Sequence, residues 1–199
     1  MPSTRFSVVI QAGGVSSRMG EDKGLLSIQG SPLVQHILDQ VKDFGDETII
    51  ITNQPESYKQ FGYPVFQDVY PGKGSLGGLY SAIFHSKEPY SLVLACDMPF
   101  LSKPFLKYLV KHVPNYAAVV PRDRSNGFVE PFRAIYAKSC LPSFLADITS
   151  NRLRISDGLK GLNVRYMDSP EIEKLAEPDR LFFNVNEHED LEKAEYMLS

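Results

Sequence analysis

Short apolar runs rich in β-branched residues alternate along this chain with segments whose apolar residues recur at helical spacing. The helical spacing is clearest at Leu33, Val34, Ile37, Leu38 and Val41, which share one face of a helix. Strands separated by helices favour a parallel sheet, because the chain crosses a face of the sheet before it enters the next parallel strand. The alternation therefore predicts an α/β fold: a doubly wound, mainly parallel sheet with helices on both faces.

The same patterns predict the individual elements. Strands are predicted over 6–10, 48–52, 63–66, 91–95, 116–120, 129–137, 163–167 and 181–185, with 129–137 the candidate for antiparallel pairing. Further helices are predicted over 76–85, 102–112, 139–148 and 187–198. The first helix is expected to begin at Ser31-Pro32 with the serine as N-cap. The last is expected to have Asn186 as N-cap, with Glu189 completing a capping box.

Composition narrows the class of protein. A chain of 199 residues suits one domain, and its net charge of −3 gives no reason to expect nucleic-acid binding, which usually needs a basic surface. No segment reaches the roughly 18 consecutive apolar residues of a membrane span, so no membrane partner is expected. The two cysteines, Cys96 and Cys140, do not suggest a disulfide framework. This favours a reduced, cytoplasmic setting.

A glycine-containing segment, 11–23 (Gln-Ala-Gly-Gly-Val-Ser-Ser-Arg-Met-Gly-Glu-Asp-Lys), directly follows the first predicted strand. Gly13 and Gly14 allow a sharp turn and leave backbone N–H groups uncovered, and such amides can cradle phosphates. Arg18 and Lys23 add two cations within reach of that turn. The segment matches neither the Walker A pattern nor the dinucleotide fingerprint. It is either a tight connection or a site for a nucleoside triphosphate, and the two cations favour the site.

Polar side chains follow three later strands as well. Asp97 comes just after 91–95, where its carboxylate is placed either to hold Mg²⁺ or to cap the next turn. Asn53 follows 48–52, and its amide suits a base or a ribose as well as a simple turn. Asp68 follows 63–66 and is either a surface loop residue or a ligand. Because doubly wound sheets bind ligands at the carboxyl ends of their strands, these residues and Gln11 are expected to converge on one crevice.

Four segments together resemble the molybdenum cofactor guanylyltransferases, the MobA-like nucleotidyltransferases. Segment 11–23 is similar to the family signature Leu-Ala-Gly-Gly-x-Ser-x-Arg-Met-Gly-x-Asp-Lys, with Gln11 where leucine is usual. Asp68 and the run Gly-Lys-Gly-Ser-Leu-Gly-Gly-Leu at 72–79 resemble a second element, with Ser75 where proline is usual. Cys-Asp-Met-Pro at 96–99 and Asn-Val-Asn at 184–186 resemble a third and a fourth. The similarity is dense to about residue 100 and sparse over 101–180.

The resemblance implies a Rossmann-like nucleotidyltransferase fold in a single domain over 1–199. About 1–100 would bind the nucleoside triphosphate, and about 101–199 the acceptor. The implied reaction transfers GMP from GTP to Mo-molybdopterin, with Mg²⁺ as cofactor, and gives molybdopterin guanine dinucleotide and pyrophosphate. Transient contact with molybdenum cofactor biosynthesis proteins and with acceptor molybdoenzymes is also expected.

The resemblance also implies roles for individual residues. Lys23, Asp97 and Arg18 are expected to be catalytic, and Asp97 to bind the metal as well. Arg18 has a second interpretation, in which it pairs with Asp22 and anchors the loop. The residues implied in GTP binding are Gln11, Ala12, Gly13, Gly14, Lys23, Asn53, Asp68 and Asp97, and those implied in acceptor binding are Asn184 and Asn186.

Some assignments stay open at the level of sequence. An arginine could bind the acceptor phosphate, but the pattern does not rank the candidates Arg122, Arg124, Arg133, Arg152 and Arg154. A related nucleotidyltransferase could use CTP or a sugar-phosphate acceptor. A non-catalytic protein could bind GTP or the cofactor without turnover, although the presence of both Lys23 and Asp97 argues against it.

Overall fold

The computed structural model describes residues 4–12, 22–122 and 128–198. The predicted site residues Gly13, Gly14 and Arg18 lie outside these ranges. The strands are β1 Phe6–Gln11, β2 Ser27–Ile28, β3 Ser31–Pro32, β4 Glu47–Ile51, β5 Val65–Phe66, β6 Tyr90–Ala95, β7 Ala118–Arg122, β8 Arg133–Ala137 and β9 Val164–Asp168. The helices are α1 Leu33–Val41, α2 Pro55–Tyr58, α3 Gly74–His85, α4 Lys103–His112, α5 Leu141–Thr149, α6 Ile155–Gly158, α7 Ser169–Ile172, α8 Pro178–Leu181 and α9 His188–Leu198.

A central sheet of seven described strands has the order β5-β4-β1-β6-β8-β7-β9. Strands β5, β4, β1 and β6 run parallel, and β7 runs parallel to β9. Strand β8 pairs antiparallel with both of its neighbours, β6 and β7. The predicted doubly wound, mainly parallel sheet is therefore confirmed, including the antiparallel pairing of the strand predicted over 129–137.

Helices cover both faces of this sheet because successive side chains of each strand point to opposite sides. Val8 and Ile10 of β1 belong to a buried cluster with residues of α1 and α4. Val9, between them, belongs to a second cluster with residues of α3 and α5. A third, smaller cluster joins the β2–β3 hairpin to α9 and contains Leu26, Ile28, Leu33, Phe100, Val185 and Ala194.

The register of the parallel strands places their carboxyl ends at one edge. Gln11, the last residue of β1, pairs with Ile51 at the end of β4 and with Ala95 at the end of β6. The residues that follow these three strands therefore lie side by side. Within the described ranges, no helix is long and apolar enough to cross a membrane.

The strand predicted over 181–185 is wrong. Helix α8 ends at Leu181, and the backbone N–H of Phe182 still bonds to the carbonyl of Pro178 at 2.9 Å. The apolar side chains that suggested a strand pack a loop onto the core instead. The ring of Phe182 contacts Phe105, and the ring of Phe183 contacts Phe100.

Both predicted helix caps are displaced. Ser31 pairs with Ile28 in the hairpin, so Pro32 is the residue that precedes α1. Helix α9 begins at His188, two residues after Asn186. The carboxylate of Asp190, rather than that of Glu189, accepts from the backbone N–H of Asn186 at 2.9 Å and from that of Glu187 at 3.1 Å. The side chain of Asn186 is thereby left for another contact.

Candidate functional site

A cleft of about 1310 Å³ opens where β1 and β6 end. From the first half of the chain it is lined by Gln11, Lys23, Ser75 and the residues that follow β6. From the second half of the chain the lining includes Phe128, Glu130, Arg154, Ser156, Asn184, Asn186 and Lys193. The cleft thus lies between the two parts of the sequence to which nucleotide and acceptor binding are assigned by resemblance.

Lys23 is held at the rim of this cleft by a short 3-10 turn, Lys23–Leu25. The preceding residue, Asp22, caps the turn: its Oδ1 accepts from the backbone N–H of Gly24 at 3.0 Å. The same oxygen accepts from the hydroxyl of Tyr58 at 2.6 Å. Tyr58 is fully buried, and burial raises its pKa, so that the hydroxyl remains a donor. The main chain before and after Lys23 is therefore fixed.

This turn requires glycine at position 24. A Cβ there would lie 2.3 Å from the Tyr58 hydroxyl oxygen and 3.3 Å from Sγ of Cys96. Gly24→Ala must displace Tyr58, so we expect destabilisation of about 1–3 kcal/mol, typical of overpacking. We also expect weaker activity, because Asp22 and Lys23 move with the turn. Chemical denaturation measures the first effect, and turnover measures the second.

Tyr58→Phe provides the control for that substitution, because it removes the atom nearest to the added methyl group. The Gly24→Ala/Tyr58→Phe double variant should be less destabilised than the sum of the single variants, since the two residues are in contact. Strictly additive losses would show that the hydroxyl is not the obstacle.

Lys23, Asp97 and Asn186 meet inside the cleft. Nζ of Lys23 lies 3.1 Å from Oδ2 of Asp97 and donates to Oδ1 of Asn186 at 2.7 Å. The side chains of Lys23 and Asp97 are 18% and 22% exposed, so this ion pair is only partly open to water. Three residues separated by 74 and 163 positions thus form one polar cluster with a single charge of each sign.

A backbone contact brings the segment 184–186 to this cluster. The N–H of Val185 donates to the carbonyl of Asp97 at 2.8 Å. Asn184 also lines the cleft, but its side-chain amide donates to the carbonyl of Phe182 at 3.0 Å within its own loop. Asn186 therefore has the more direct connection to Lys23 and Asp97.

Gln11 ends β1 with its side chain buried against α3. An added Cβ on Gly78 would lie 2.7 Å from Nε2 of Gln11, so the glycine is what permits this approach. Oε1 of Gln11 is buried without a hydrogen-bond partner among the described residues. The next residue, Ala12, donates its N–H to the carbonyl of Ile51 at 2.8 Å. Ala12 is implied in GTP binding by the resemblance, but its amide is used in the sheet and offers no free N–H to the nucleotide.

Asn53 and Asp68 form a separate pair beyond β4 and β5. Nδ2 of Asn53 donates to Oδ2 of Asp68 at 2.9 Å, whereas Oδ1 of Asp68 is buried with no partner in the described ranges. Neither residue is part of the cleft lining around Lys23. The structure therefore brings Lys23, Asp97 and Asn186 into direct contact and pairs Asn53 with Asp68 further along the same edge of the sheet.

Sequence reasoning missed several cleft residues and left the arginines unranked. Arg122 pairs with Asp168, Arg152 pairs with Asp147 and Arg133 is buried, whereas Arg154 lines the cleft. Arg124 lies outside the described residues. Lys193 and Glu130 also line the cleft, and burial raises the pKa of Glu130. No spacing in the sequence marks these residues, because each reaches the cleft from a different element.

The two cysteines are both free and buried, and burial raises the pKa of both thiols. Cys96 lies between Asp97 and the turn that carries Lys23, and its thiol contributes bulk to the packing there.

Comparison with known proteins agrees with this arrangement. The profile described as the MobA-like NTP transferase domain matches residues 8–158. A probable molybdenum cofactor guanylyltransferase of Clostridium perfringens strain 13 is 37% identical over 94% of this chain and 96% of that protein. The solved structure of molybdopterin-guanine dinucleotide biosynthesis protein A from Archaeoglobus fulgidus superposes with a TM-score of 0.82. It shares 26% identity and covers 96% of this chain and 98% of its own.

A more distant structure shows how widely the fold is shared. CMP:2-keto-3-deoxy-manno-octonic acid synthetase, solved with CTP, superposes with a TM-score of 0.73 at 15% identity, over 98% of each chain. That likeness concerns the fold alone. The profile match over most of the sequence and the relative at 37% identity establish the family as well as the fold. This chain is a nucleotidyltransferase and belongs to the MobA-like NTP transferase family.

Proposed function

We propose that this nucleotidyltransferase transfers GMP from GTP to Mo-molybdopterin and releases pyrophosphate. The observation that carries the proposal is the contact of Lys23 Nζ with both Asp97 Oδ2 and Asn186 Oδ1 in a cleft between the two parts of the chain. One cation and one carboxylate at such a place can bind a metal-bound triphosphate and an anionic acceptor together. The curated relative named above carries the same activity in its name.

The proposed chemistry needs positioning and charge neutralisation more than covalent help. The α-phosphate must be held in line with the attacking oxygen, and the negative charge that develops on it must be balanced. In this proposal Lys23 contacts the triphosphate and stabilises the charge at the reacting phosphorus. The acceptor is a phosphate monoester that is already anionic at neutral pH, so the step requires no general base.

The residues present fit Mg²⁺ that arrives with the nucleotide. Mg²⁺ is held by one or two carboxylates together with substrate phosphates. Among the described residues, no group of three or more His, Cys, Asp or Glu side chains is placed to hold a metal alone. Asp97 offers one partly exposed carboxylate on the cleft wall. Bound there, Mg²⁺ would neutralise phosphate charge, while Asp97 orients the triphosphate against Lys23.

The two substrates are assigned to different parts of the chain. In this proposal a single domain binds GTP through about residues 1–100 and the acceptor through about 101–199. Gln11, Asn53 and Asp68 would contact the nucleoside, with Gly13, Gly14 and Arg18 assigned to the phosphates by the resemblance of segment 11–23. Asn184 and Asn186 would contact the acceptor, and Arg154 and Lys193 would supply positive charge for its phosphate.

Oδ1 of Asp68, which has no hydrogen-bond partner among the described residues, is expected to affect the choice of base. Guanine presents N–H donors on the edge where adenine presents an acceptor, and a buried acceptor without a partner favours such a donor. Asp68→Asn should therefore weaken GTP binding about ten-fold, which is roughly 1.4 kcal/mol, and leave weak ATP binding unchanged. Calorimetric titration measures both affinities. The matched control is Asp39→Asn on the exposed side of α1; equal losses for GTP and ATP would contradict a role in base selection.

Calorimetric titration with GTP, CTP, ATP and UTP, each with and without Mg²⁺, tests the function as a whole. Selective GTP binding that Mg²⁺ strengthens supports the guanylyltransferase assignment. Preference for CTP would contradict it and assign the chain to a cytidylyltransferase activity, for which the CTP-bound neighbour provides the structural precedent. Pyrophosphate release with the acceptor separates both from a protein that binds GTP without turnover.

The cellular setting belongs to the same proposal. Two buried cysteines that form no disulfide are consistent with a reduced, cytoplasmic compartment. Transient contacts with other molybdenum cofactor biosynthesis proteins and with acceptor molybdoenzymes would follow from the need to transfer the product.

A further inference from the structure

The loop that carries Asp97 is restrained along its whole length by residues outside it. We call residues 97–101 the Asp97 loop. Its first carbonyl, that of Asp97, accepts from the N–H of Val185 at 2.8 Å. The carbonyls of Met98 and Phe100 accept from Nη2 and Nη1 of Arg133, at 2.7 and 2.6 Å. One side chain thus bonds to two alternate carbonyls of the same short loop.

Gln40 of α1 holds the same loop at two further points. Its Nε2 donates to the carbonyl of Pro99 at 2.7 Å, and its Oε1 accepts from the N–H of Leu101 at 3.1 Å. Four consecutive carbonyls, 97 to 100, are therefore bonded to donors from other elements of the fold. A loop held in this way has little freedom to tilt its first residue.

Arg133 reaches the loop from the antiparallel strand β8, where it pairs with Leu94 of β6. Its side chain is fully buried, and burial lowers its pKa to about 10, against the opposing charges of Glu130 and Asp97. It forms no ion pair with any residue in the described ranges, and its Nε has no hydrogen-bond partner there. Burying a guanidinium without a counter-ion is costly unless hydrogen bonds compensate, and here the two loop carbonyls accept those hydrogen bonds.

The geometry of the guanidinium explains why arginine lies here. A planar fork with several fixed N–H groups can bond two carbonyls at once, whereas an ammonium group acts as a point donor. Asp97, one residue before the first carbonyl that Arg133 binds, is the proposed metal ligand and the partner of Lys23. Arg133 therefore restrains the main chain directly beside the Asp97 carboxylate, whose position matters for the proposed metal site.

We propose that Arg133 is a positioning residue, which fixes the Asp97 loop through the carbonyls of Met98 and Phe100 and thereby keeps the Asp97 carboxylate in place for the metal–nucleotide complex. The inference rests on the proposed function for the role of Asp97. The hold on the loop itself does not depend on that function.

Arg133→Met tests the proposal by removing the donors and keeping much of the volume. We expect faster amide hydrogen exchange at Met98, Phe100 and Leu101 by at least about ten-fold. In the presence of GTP, we expect the affinity for Mn²⁺, followed by electron paramagnetic resonance, to fall about ten-fold, while metal-free GTP binding changes less than about two-fold. Arg133→Lys should give an intermediate loss, because an ammonium group keeps the charge without the fork.

Two further variants separate positioning from general stability. Gln40→Leu loosens the same loop through a different element, helix α1, and should reproduce the loss of Mn²⁺ affinity. This variant provides the test if Arg133→Met does not fold. Tyr136→Phe is the matched control, because it removes one buried hydrogen bond of the same strand, to the carbonyl of Pro131 at 2.8 Å. It should lower the Tm without weakening Mn²⁺ binding.

The outcomes are distinct. Wild-type Mn²⁺ affinity and loop exchange in Arg133→Met would overturn the proposal, as would an equal loss of affinity in Tyr136→Phe at the same loss of Tm. If the wild-type protein binds no Mn²⁺ with GTP, the proposed function fails instead. In that case unchanged exchange in Arg133→Met would also overturn the hold on the loop, and faster exchange would support it.

Discussion

Lys23→Ala is expected to lower the turnover number for nucleotidyl transfer by about two to three powers of ten, the effect of removing one preorganised donor that stabilises charge in a transition state. The loss should be this large because the turn capped by Asp22 and Tyr58 fixes Lys23 in a partly buried position. A lysine that moved freely on the surface would not be held in this position. Steady-state pyrophosphate release with saturating GTP and Mg²⁺ measures the effect.

The structure gives a second expectation for the same variant. Lys23 Nζ is a direct partner of the Asp97 carboxylate at 3.1 Å. Its removal leaves Asp97 free for a cation, so Mn²⁺ binding should persist or strengthen while turnover is lost. Lys59→Ala, which removes an exposed lysine paired with Glu56, is the control and should retain full turnover. A folded Lys23→Ala protein with normal turnover would remove Lys23 from the catalytic site.

Asp97→Asn is expected to raise the Mg²⁺ concentration needed for half-maximal activity by at least about ten-fold. The substitution keeps the shape and an oxygen that can accept from Lys23, but it removes the negative charge that a hard cation requires. The backbone contacts of Asp97 are unchanged, so the Tm should change little. A titration of activity against Mg²⁺, compared with Asp39→Asn, measures the shift. An unchanged metal dependence would exclude Asp97 as the ligand.

The two variants should differ in how excess metal affects them. High Mg²⁺ should partly restore Asp97→Asn, because a weaker site can still be filled by mass action. It should not restore Lys23→Ala, because the missing group there is a donor to the phosphate. This difference in response to metal assigns separate roles to two residues that contact each other.

The fold class was predictable because buried parallel strands have a strong local signature. Segments such as Val8–Ile10 and 92–95 are continuous apolar runs, as expected for strands covered on both faces. The strand predicted over 181–185 failed because a short apolar run also suits a loop whose side chains pack into two core clusters. The local pattern of apolar residues indicates that a residue is buried, but it does not indicate which elements pack against it.

The candidate site was likewise predictable only in part from the sequence. Segment 11–23 and the residues after β4, β5 and β6 could be identified from the sequence, because polar residues at strand ends are conspicuous beside apolar runs. Arg133 and Tyr58 could not, because neither residue type marks a site in a strand or a short helix. Their importance comes from bonds to the Asp97 loop and to Asp22, which lie 33 to 36 positions away along the chain.

The sequence alone determined the α/β fold class, the order of its main elements, the family resemblance and the polar residues expected at the carboxyl edge of the sheet. These follow from periodicity and from motifs contained in short stretches of chain. Only the tertiary structure decided that Asn186 contacts Lys23 instead of capping α9, that Asp22 is bonded by Tyr58, and that Arg133 holds the loop of Asp97. Such pairings depend on strand order and on the packing of remote elements, and that information is spread over the whole chain.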